Sequence, residues 1–360
     1  MVTSADGQEY PVQVGGRTTK SIVMGVGAVA LIVLFLFPLF GVTDWTRRLV
    51  EFFCYLAAAQ MWNLLLGYAG LMSAGQQAYI GLGAYTVWFF ADIVHINPLL
   101  CVLFAAITGA IIAFPAAALV FRLRGGYLAI GTWVIAEIFR LIFSSISQTG
   151  GGAGTTIGAA AQMAQTKGVD GWYSQVYWLA LAVAVLTIAV CYLLLRSRTG
   201  LALKAIRDDD LSAESSGVNL WRTKLYTYII AGAGCAMAGA LIALYSLQVR
   251  PGSAFSINWT AYLIFITVIG GIGTIEGPFI GTVIFYALRE TTSKYGTWYF
   301  IVLGLLAAVI AIWSRGGIYG WILKKTGFTL FPLQRRVGFG RSEKPPSPPA
   351  SEGGGGAATV

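Results

Sequence analysis

The chain is poor in the residues that active sites usually recruit. Its 360 residues include a single histidine, His95, and four cysteines. Cys54, Cys101, Cys191 and Cys235 lie far apart in apolar surroundings, with no C-x-x-C spacing. A zinc site or a redox dithiol needs clustered imidazoles or thiolates, so neither is indicated, and the cysteines read as packing residues. A histidine with no second ligand and no paired nucleophile reads as an ordinary loop residue. No G-x-x-x-x-G-K-[ST] segment occurs, so the sequence offers no phosphate loop of its own. Charge is scarce too: 11% of residues are Asp, Glu, Lys or Arg, against roughly 25% in a soluble domain.

Apolar length takes the place of charge. Hydrophobic residues make up 57% of the chain and the mean hydropathy is +0.72. Several runs approach or exceed the ~20 residues that cross a ~30 Å hydrocarbon core. In lipid the backbone must satisfy its own hydrogen bonds, so spans are helices or a closed barrel. Continuous runs without period-2 alternation select helices. The expected fold class is an all-α polytopic integral membrane protein. Ten spans are drawn at about 21–41, 49–66, 71–91, 98–121, 127–146, 176–195, 226–248, 258–274, 277–293 and 297–314. Eight or nine remain open, because Gly270, Gly271, Gly273, Gly277 and Pro278 crowd the join between spans eight and nine. The first run is too long for a signal-peptide core and no small-residue cleavage site follows it, so it reads as an anchor.

Lysine and arginine in the loops set the orientation. With ten spans, seventeen of them fall on the side of the two termini and six on the other, with Arg140 inside a span. Both termini and the 196–225 loop are therefore expected in the cytoplasm. The expected organisation is a cytoplasmic segment 1–20, a membrane domain 21–315 with a cytoplasmic loop 196–225 and a periplasmic loop 147–175, and a cytoplasmic tail 316–360. The tail, RSEKPPSPPASEGGGGAATV from Arg341, cannot bury a core and is expected to be disordered. The net charge of +9 follows from topology and anionic lipid headgroups. A nucleic-acid partner would need a basic face on a soluble domain, and none is indicated.

One polar island interrupts the apolar pattern. Arg196 to Lys224 reads RSRTGLALKAIRDDDLSAESSGVNLWRTK. A basic hinge opens it and Asp208, Asp209 and Asp210 sit in its middle. Asp210 can cap a helix from Leu211 to about Ser216, with Asp209 adding negative charge at the N-terminus. Gly217 supplies a left-handed stop. A helix of one or two turns is not stable alone in water, so it must dock on something; a solvated surface loop is the alternative.

Three glycine-rich segments stand out: GYAGLMSAGQQAYIGLGAY at 67–85, RLRGGYLAIGTWVIAEIFR at 122–140 and GGIGTIEGPFIG at 270–281. Small residues let helices approach closely. Glycine also permits helix breaks, which membrane proteins tolerate only against protein or a wet cavity. Paired breaks in the two halves of a transporter often flank the solute path. Gly67, Gly70, Ser73, Gly75, Gln76 and Gly83 in the first half, and Gly271, Gly273 and Gly277 in the second, are candidate path residues on that ground, with plain close packing as the alternative. Glu137 and Arg140, three apart on span five, face each other on one helix side. They either meet a zwitterionic solute or form a self-compensating pair.

In order and wording, these segments and the island resemble the branched-chain amino-acid ABC permease family, its LivM-type branch in particular. The resemblance covers roughly residues 45 to 320. It implies a permease subunit of an ATP-driven importer in a bacterial-type cytoplasmic (inner) membrane, with a possible internal inverted repeat. Two ATPase subunits would bind ATP and magnesium, and this chain would hold no cofactor or ATPase site. The implied partners are a second, LivH-like permease and a periplasmic binding protein that delivers a branched-chain or related amino acid. Urea and short amides are alternative cargoes. Ala213-Glu214-Ser215-Ser216-Gly217 resembles, in degenerate form, the family's Glu-Ala-Ala…Gly element, which fits a cleft on the ATPase. That resemblance makes Asp208, Asp209, Asp210, Leu211, Ala213, Glu214 and Gly217 the expected coupling residues. Gln148 to Gly154 resembles a periplasmic Thr-Gly-Gly-x-Asp-Gly element but has Gly152-Ala153 where Ser-Asp is frequent; it is expected to be a flexible loop that receives the binding protein. Two other classes would read differently. An ion-coupled transporter more often shows an unpaired acid or histidine relay in its spans, and a passive channel needs no docking helix.

Overall fold

The computed structural model of the chain describes residues 2–3, 9–10, 25, 27, 29, 31–40, 43–123, 125–292, 298–313 and 316–326. Two compact units divide it, 1–28 with 334–360, and 29–333. In the first, β1 (Val2–Thr3) pairs antiparallel with β2 (Glu9–Tyr10). The tail expected to be disordered lies outside the described residues, as do Arg17, Lys20, Arg124, Lys294 and Arg315.

The second unit satisfies its backbone almost wholly with helices. In chain order they are α1 (Leu31–Phe40), α2 (Thr43–Asn63), α3 (Gln76–Trp88), α4 (Cys101–Val120), α5 (Gly126–Ser145), α6 (Gly158–Lys167), α7 (Val169–Arg196), α8 (Arg198–Asp208), α9 (Asp210–Ser215) and α10 (Leu220–Ser246). The short α11 (Pro251–Ala254), α12 (Ile257–Gly270), α13 (Gly277–Thr292), α14 (Trp298–Trp313) and α15 (Gly317–Thr326) complete the series. Among the described residues, six segments are long and apolar enough to cross a membrane: Asp44–Tyr68, Cys101–Val120, Gly126–Ser145, Val169–Arg196, Leu220–Ser246 and Pro251–Gly270. The fold is that of a polytopic α-helical membrane protein.

Small residues decide which helices are central. The apolar stretches of α2 and α10 are 83% and 78% buried, whereas those of α4 and α5 are 33% and 17% buried. α10 packs on α2, α3, α4 and α7. It approaches α3 so closely that a Cβ on Gly239 would lie 2.6 Å from the Ile80 carbonyl carbon. A Cβ on Gly83 would lie the same distance from that of Ala236. Backbone contact of this kind is how helices associate where lipid supplies no hydrophobic contrast. α4 and α5 turn Leu103, Ile107, Ile111, Ile130, Val134 and Leu141 outward, as a lipid- or protein-facing surface requires.

The far end of the bundle from α8 is built rather than loose. Ser147–Thr149 and Gly151–Ala153 form 3-10 turns, and β3 (Thr155–Thr156) pairs with β4 (Gln248–Val249). The Asp92 carboxylate accepts the amides of Gly158 and Ala159 at 3.0 and 2.8 Å, which caps α6. The loop at Gln148–Gly154 contains these 3-10 turns, with Thr149 Oγ1 donating to the Phe143 carbonyl at 2.9 Å. The loop read as 147–175 contains α6 and the first residues of α7. Span three, drawn from 71, begins as helix only at Gln76, because residues 70–75 are irregular.

Candidate functional site

Two local structures gather the candidate residues: the island between α7 and α10, and a junction of two helix breaks beneath it. The island is more helical than its charge suggests. Leu203 and Ile206, one turn apart, are buried together with Gly200, so α8 is an amphipathic helix laid on the bundle. Gly200 lets it fold back on α7, since a Cβ there would sit 2.6 Å from the Leu195 carbonyl carbon. The sequence signal for α8 was the spacing Leu203–Ile206 after Ser197, obscured by basic residues.

α9 is capped one residue earlier than expected. Asp209, extended at φ −160° and ψ 120°, is the N-cap: its carboxylate accepts the Leu211 amide at 3.1 Å and the Ser212 hydroxyl at 2.7 Å. These bonds hold the Asp209 carboxyl below its ordinary range, the Ser212 contact contributing most. Asp210, assigned the cap from sequence, instead pairs with Lys224 Nζ at 2.8 Å and ties α9 to α10. The reason is geometric: the joint between α8 and α9 is a single extended residue, and Asp209 occupies it. Gly217 ends the helix as expected, at φ +84°. Its amide bonds the Glu214 carbonyl at 2.9 Å and the Val218 amide bonds that of Ala213 at 3.1 Å, a Schellman closure.

This helix presents its side chains outward. Ala213 is buried, whereas Asp208, Glu214 and Gly217 are exposed and Leu211 is 72% exposed. An open groove of about 430 Å³ runs beside it, lined by Glu214, Gly217, Val218, Asn219, Leu220 and Trp221. An exposed leucine on a two-turn helix next to a groove is a surface that gains by docking.

Beneath α8 the glycine-rich breaks meet. α2 runs through a π turn, Leu64–Tyr68, into the irregular 70–75 segment, where Gly70 has φ +66°. The second break lies between α12 and α13, with Gly271 at φ +132° and Gly273 at φ +76°. Asn63, fully buried, joins the two: its Nδ2 donates to the Thr274 carbonyl at 2.8 Å and its Oδ1 accepts the Gly273 amide at 2.9 Å. Gly67 has no room for a side chain, because a Cβ would lie 2.6 Å from the Gly273 nitrogen. Arg207, near the end of α8, donates from Nη1 to the Gly67 carbonyl at 2.6 Å. Gly277 begins α13 with its amide on Thr274 Oγ1 at 3.0 Å. Sequence reasoning named the glycines and missed Asn63 and Arg207; a fully polar amide at the end of an apolar span was the available sign.

The other candidates stand elsewhere. Ser73, Gly75 and Gln76 line the entry to α3, where the Ala74 amide bonds Thr132 Oγ1 at 3.0 Å and Trp62 Nε1 bonds the Ser73 carbonyl at 2.8 Å. Gln76 and Gln77 are fully buried, and Thr260 Oγ1 donates to Gln77 Oε1. Gly83 belongs to the α3–α10 contact. Glu137 and Arg140 pair with each other on the outward side of α5, Arg140 Nε reaching the two carboxylate oxygens at 2.8 and 2.9 Å, with side chains 40% and 34% exposed. No group of three or more metal-ligating side chains occurs among the described residues.

A membrane bundle in which two helix breaks meet has a build found in transport proteins. Residues 46–313 match the family described as branched-chain amino acid transport system / permease component, and the chain belongs to that family. It is 29% identical over 284 residues to the high-affinity branched-chain amino acid transport system permease protein LivM of Escherichia coli (strain K12), and 30% identical over 287 residues to its counterpart in Salmonella typhimurium. Each match covers 71% of this chain and 65% of the relative, so the chain spans about 65% of the length of these proteins. The LivH permease of Salmonella typhimurium is 33% identical over 122 residues, 33% of this chain and 38% of that one. No solved structure matches the chain at a significant level.

Proposed function

We propose that this chain is the membrane-spanning permease subunit of an ATP-driven importer for branched-chain or related amino acids. The observation that carries this reading is α9: a capped, two-turn helix with Leu211 and Glu214 exposed, in a chain of the permease family. Ten spans with both termini in the cytoplasm would put α8 and α9 on the cytoplasmic side of a bacterial-type inner membrane. There α9 would seat in one of two ATPase subunits, which would hold the ATP and magnesium; the sequence of this chain contains no G-x-x-x-x-G-K-[ST] phosphate loop. A periplasmic binding protein would deliver the solute to the opposite end, where α6, β3 and β4 form a firm platform. The paired breaks at 67–75 and 271–277 would flank the path, together with Ser73, Gln76 and the outward face of α5. A charge pair near the middle of an apolar span is costly against lipid. That cost favours a LivH-like second permease, or the wet path between the two, as the cover for Glu137 and Arg140.

Nucleotide turnover need only bind the two conformations of the bundle unequally to drive alternating access. The test is uptake of radiolabelled leucine into proteoliposomes holding the chain, the second permease and both ATPases, with binding protein outside. ATP-dependent accumulation that vanishes without the ATPases supports the reading. Uptake indifferent to ATP and abolished by collapsing an ion gradient, or simple equilibration, refutes it.

A further inference from the structure

The Arg207 side chain joins the island to the helix breaks. In an unbroken helix the carbonyl of Gly67 would accept the amide of Leu71, four residues on. Here the Leu71 amide turns back to Leu65 at 3.0 Å, across the π turn, and leaves the Gly67 carbonyl without its helical donor. Arg207 Nη1 fills that vacancy at 2.6 Å, a charge-assisted bond from a different helix. Gly273 makes room for it: a Cβ at that position would lie 2.7 Å from Nη1. Asn63 then carries the link from the first break to the second through the Gly273 amide and the Thr274 carbonyl. π turns are register faults that recur at functional sites, because shifting one changes which carbonyls are free.

We propose that Arg207 is a positioning residue for transport, the strut by which movement of the α8–α9 pair sets the register of the break after α2. Seated, the guanidinium holds the π turn and the 70–75 segment as described. Withdrawn with α8, it frees the Gly67 carbonyl to take the Leu71 amide, and the turn relaxes toward regular helix. Asn63 passes that change to residues 271–277. The break is thus a two-state element that the docking helix can bias. This inference rests on the permease reading, since without an ATPase on α9 nothing would pull on α8.

The experiment has two arms, both with Arg207→Ala and Arg207→Lys. The first is hydrogen–deuterium exchange on the purified full chain in detergent. R207A is expected to change exchange at least tenfold in peptides covering 64–75 and 271–277, with peptides of α4 unaffected. The second measures leucine uptake per ATP hydrolysed in the reconstituted complex. R207A is expected to keep ATP turnover within twofold of wild type and to lose at least tenfold in uptake, and R207K, with a single point donor, to recover part of it. Should R207A fail to assemble, R207K carries the test, with a threefold or greater loss of uptake per ATP expected. Unchanged exchange in both breaks, or wild-type coupling in the variants of a working complex, overturns the inference alone. A wild-type complex that hydrolyses ATP and moves no solute overturns the permease reading and this inference with it.

Discussion

Gly217 isolates a single physical effect, because its surroundings are empty. It stands at φ +84° with nothing within 4 Å of where a Cβ would project, so a substitution there meets no clash and only the backbone responds. An L-residue in the left-handed region costs about 1–2 kcal/mol, and asparagine less. Gly217→Ala should therefore lower the population of the closed end of α9 by a factor of about 5–30. The bonds that break are those from the residue 217 and Val218 amides to the Glu214 and Ala213 carbonyls, so these amides report the change. Exchange measured on peptides spanning 210–218 should accelerate by that factor in G217A. It should accelerate less in G217N, and more in G217V, where a β-branched side chain adds its own strain. Uptake per ATP should follow the same order in the assembled complex. Equal protection in all three variants, or an alanine that protects better than glycine, would refute the argument that the left-handed stop defines α9.

Further outcomes follow from other contacts. Because the folded pKa of Asp209 is depressed, its capping contribution is complete above the ordinary value of 3.8 and lost as pH falls through the lowered value. Exchange across α9 should therefore be flat from pH 6 to 8 after correction for intrinsic rates, and Asp209→Asn, which still caps, should remove the acid transition. Asp210→Asn breaks only a half-exposed pair with Lys224 and should cost less than about 1 kcal/mol, measured as a small change in exchange at the start of α9. Glu137→Gln leaves Arg140 unpaired in a span, a penalty on the order of 3 kcal/mol that should appear as reduced membrane-inserted yield. The double variant E137Q/R140Q should restore yield. Restored uptake as well would make the pair structural, and restored yield without uptake would place it on the path. Gly75→Leu should fail to assemble, since even a Cβ would lie 2.6 Å from the Thr132 carbonyl carbon; normal yield and uptake from this variant would contradict the packing of the 70–75 segment on α5.

Much of this was legible in the chain because lipid imposes simple rules. Apolar runs without alternation gave the helical class, and Gly217 gave the end of α9, since few residues but glycine stop a helix in that way. The glycine clusters permit the irregular backbone found at 70–75 and 271–276, although span three was drawn straight through most of the first. Their location was harder to read. Close approach and path lining call for the same residue, and Gly83 proves to serve the contact with Ala236 while Gly67 and Gly273 meet beneath α8. The cap was misplaced by one residue because three adjacent aspartates are equivalent until the joint between α8 and α9 is known. Asn63 and Arg207 were invisible for a different reason: their significance lies in partners 210 and 140 residues away in the chain, which no local pattern encodes.

The most direct test is a photoreactive amino acid placed at Leu211, the most exposed apolar residue of α9, in the assembled complex within native membranes. Irradiation should yield one dominant adduct between this chain and an ATP-hydrolysing subunit, changed in yield when ATP is bound. An ATPase that co-purifies with the complex yet forms no adduct from residue 211 would contradict the account.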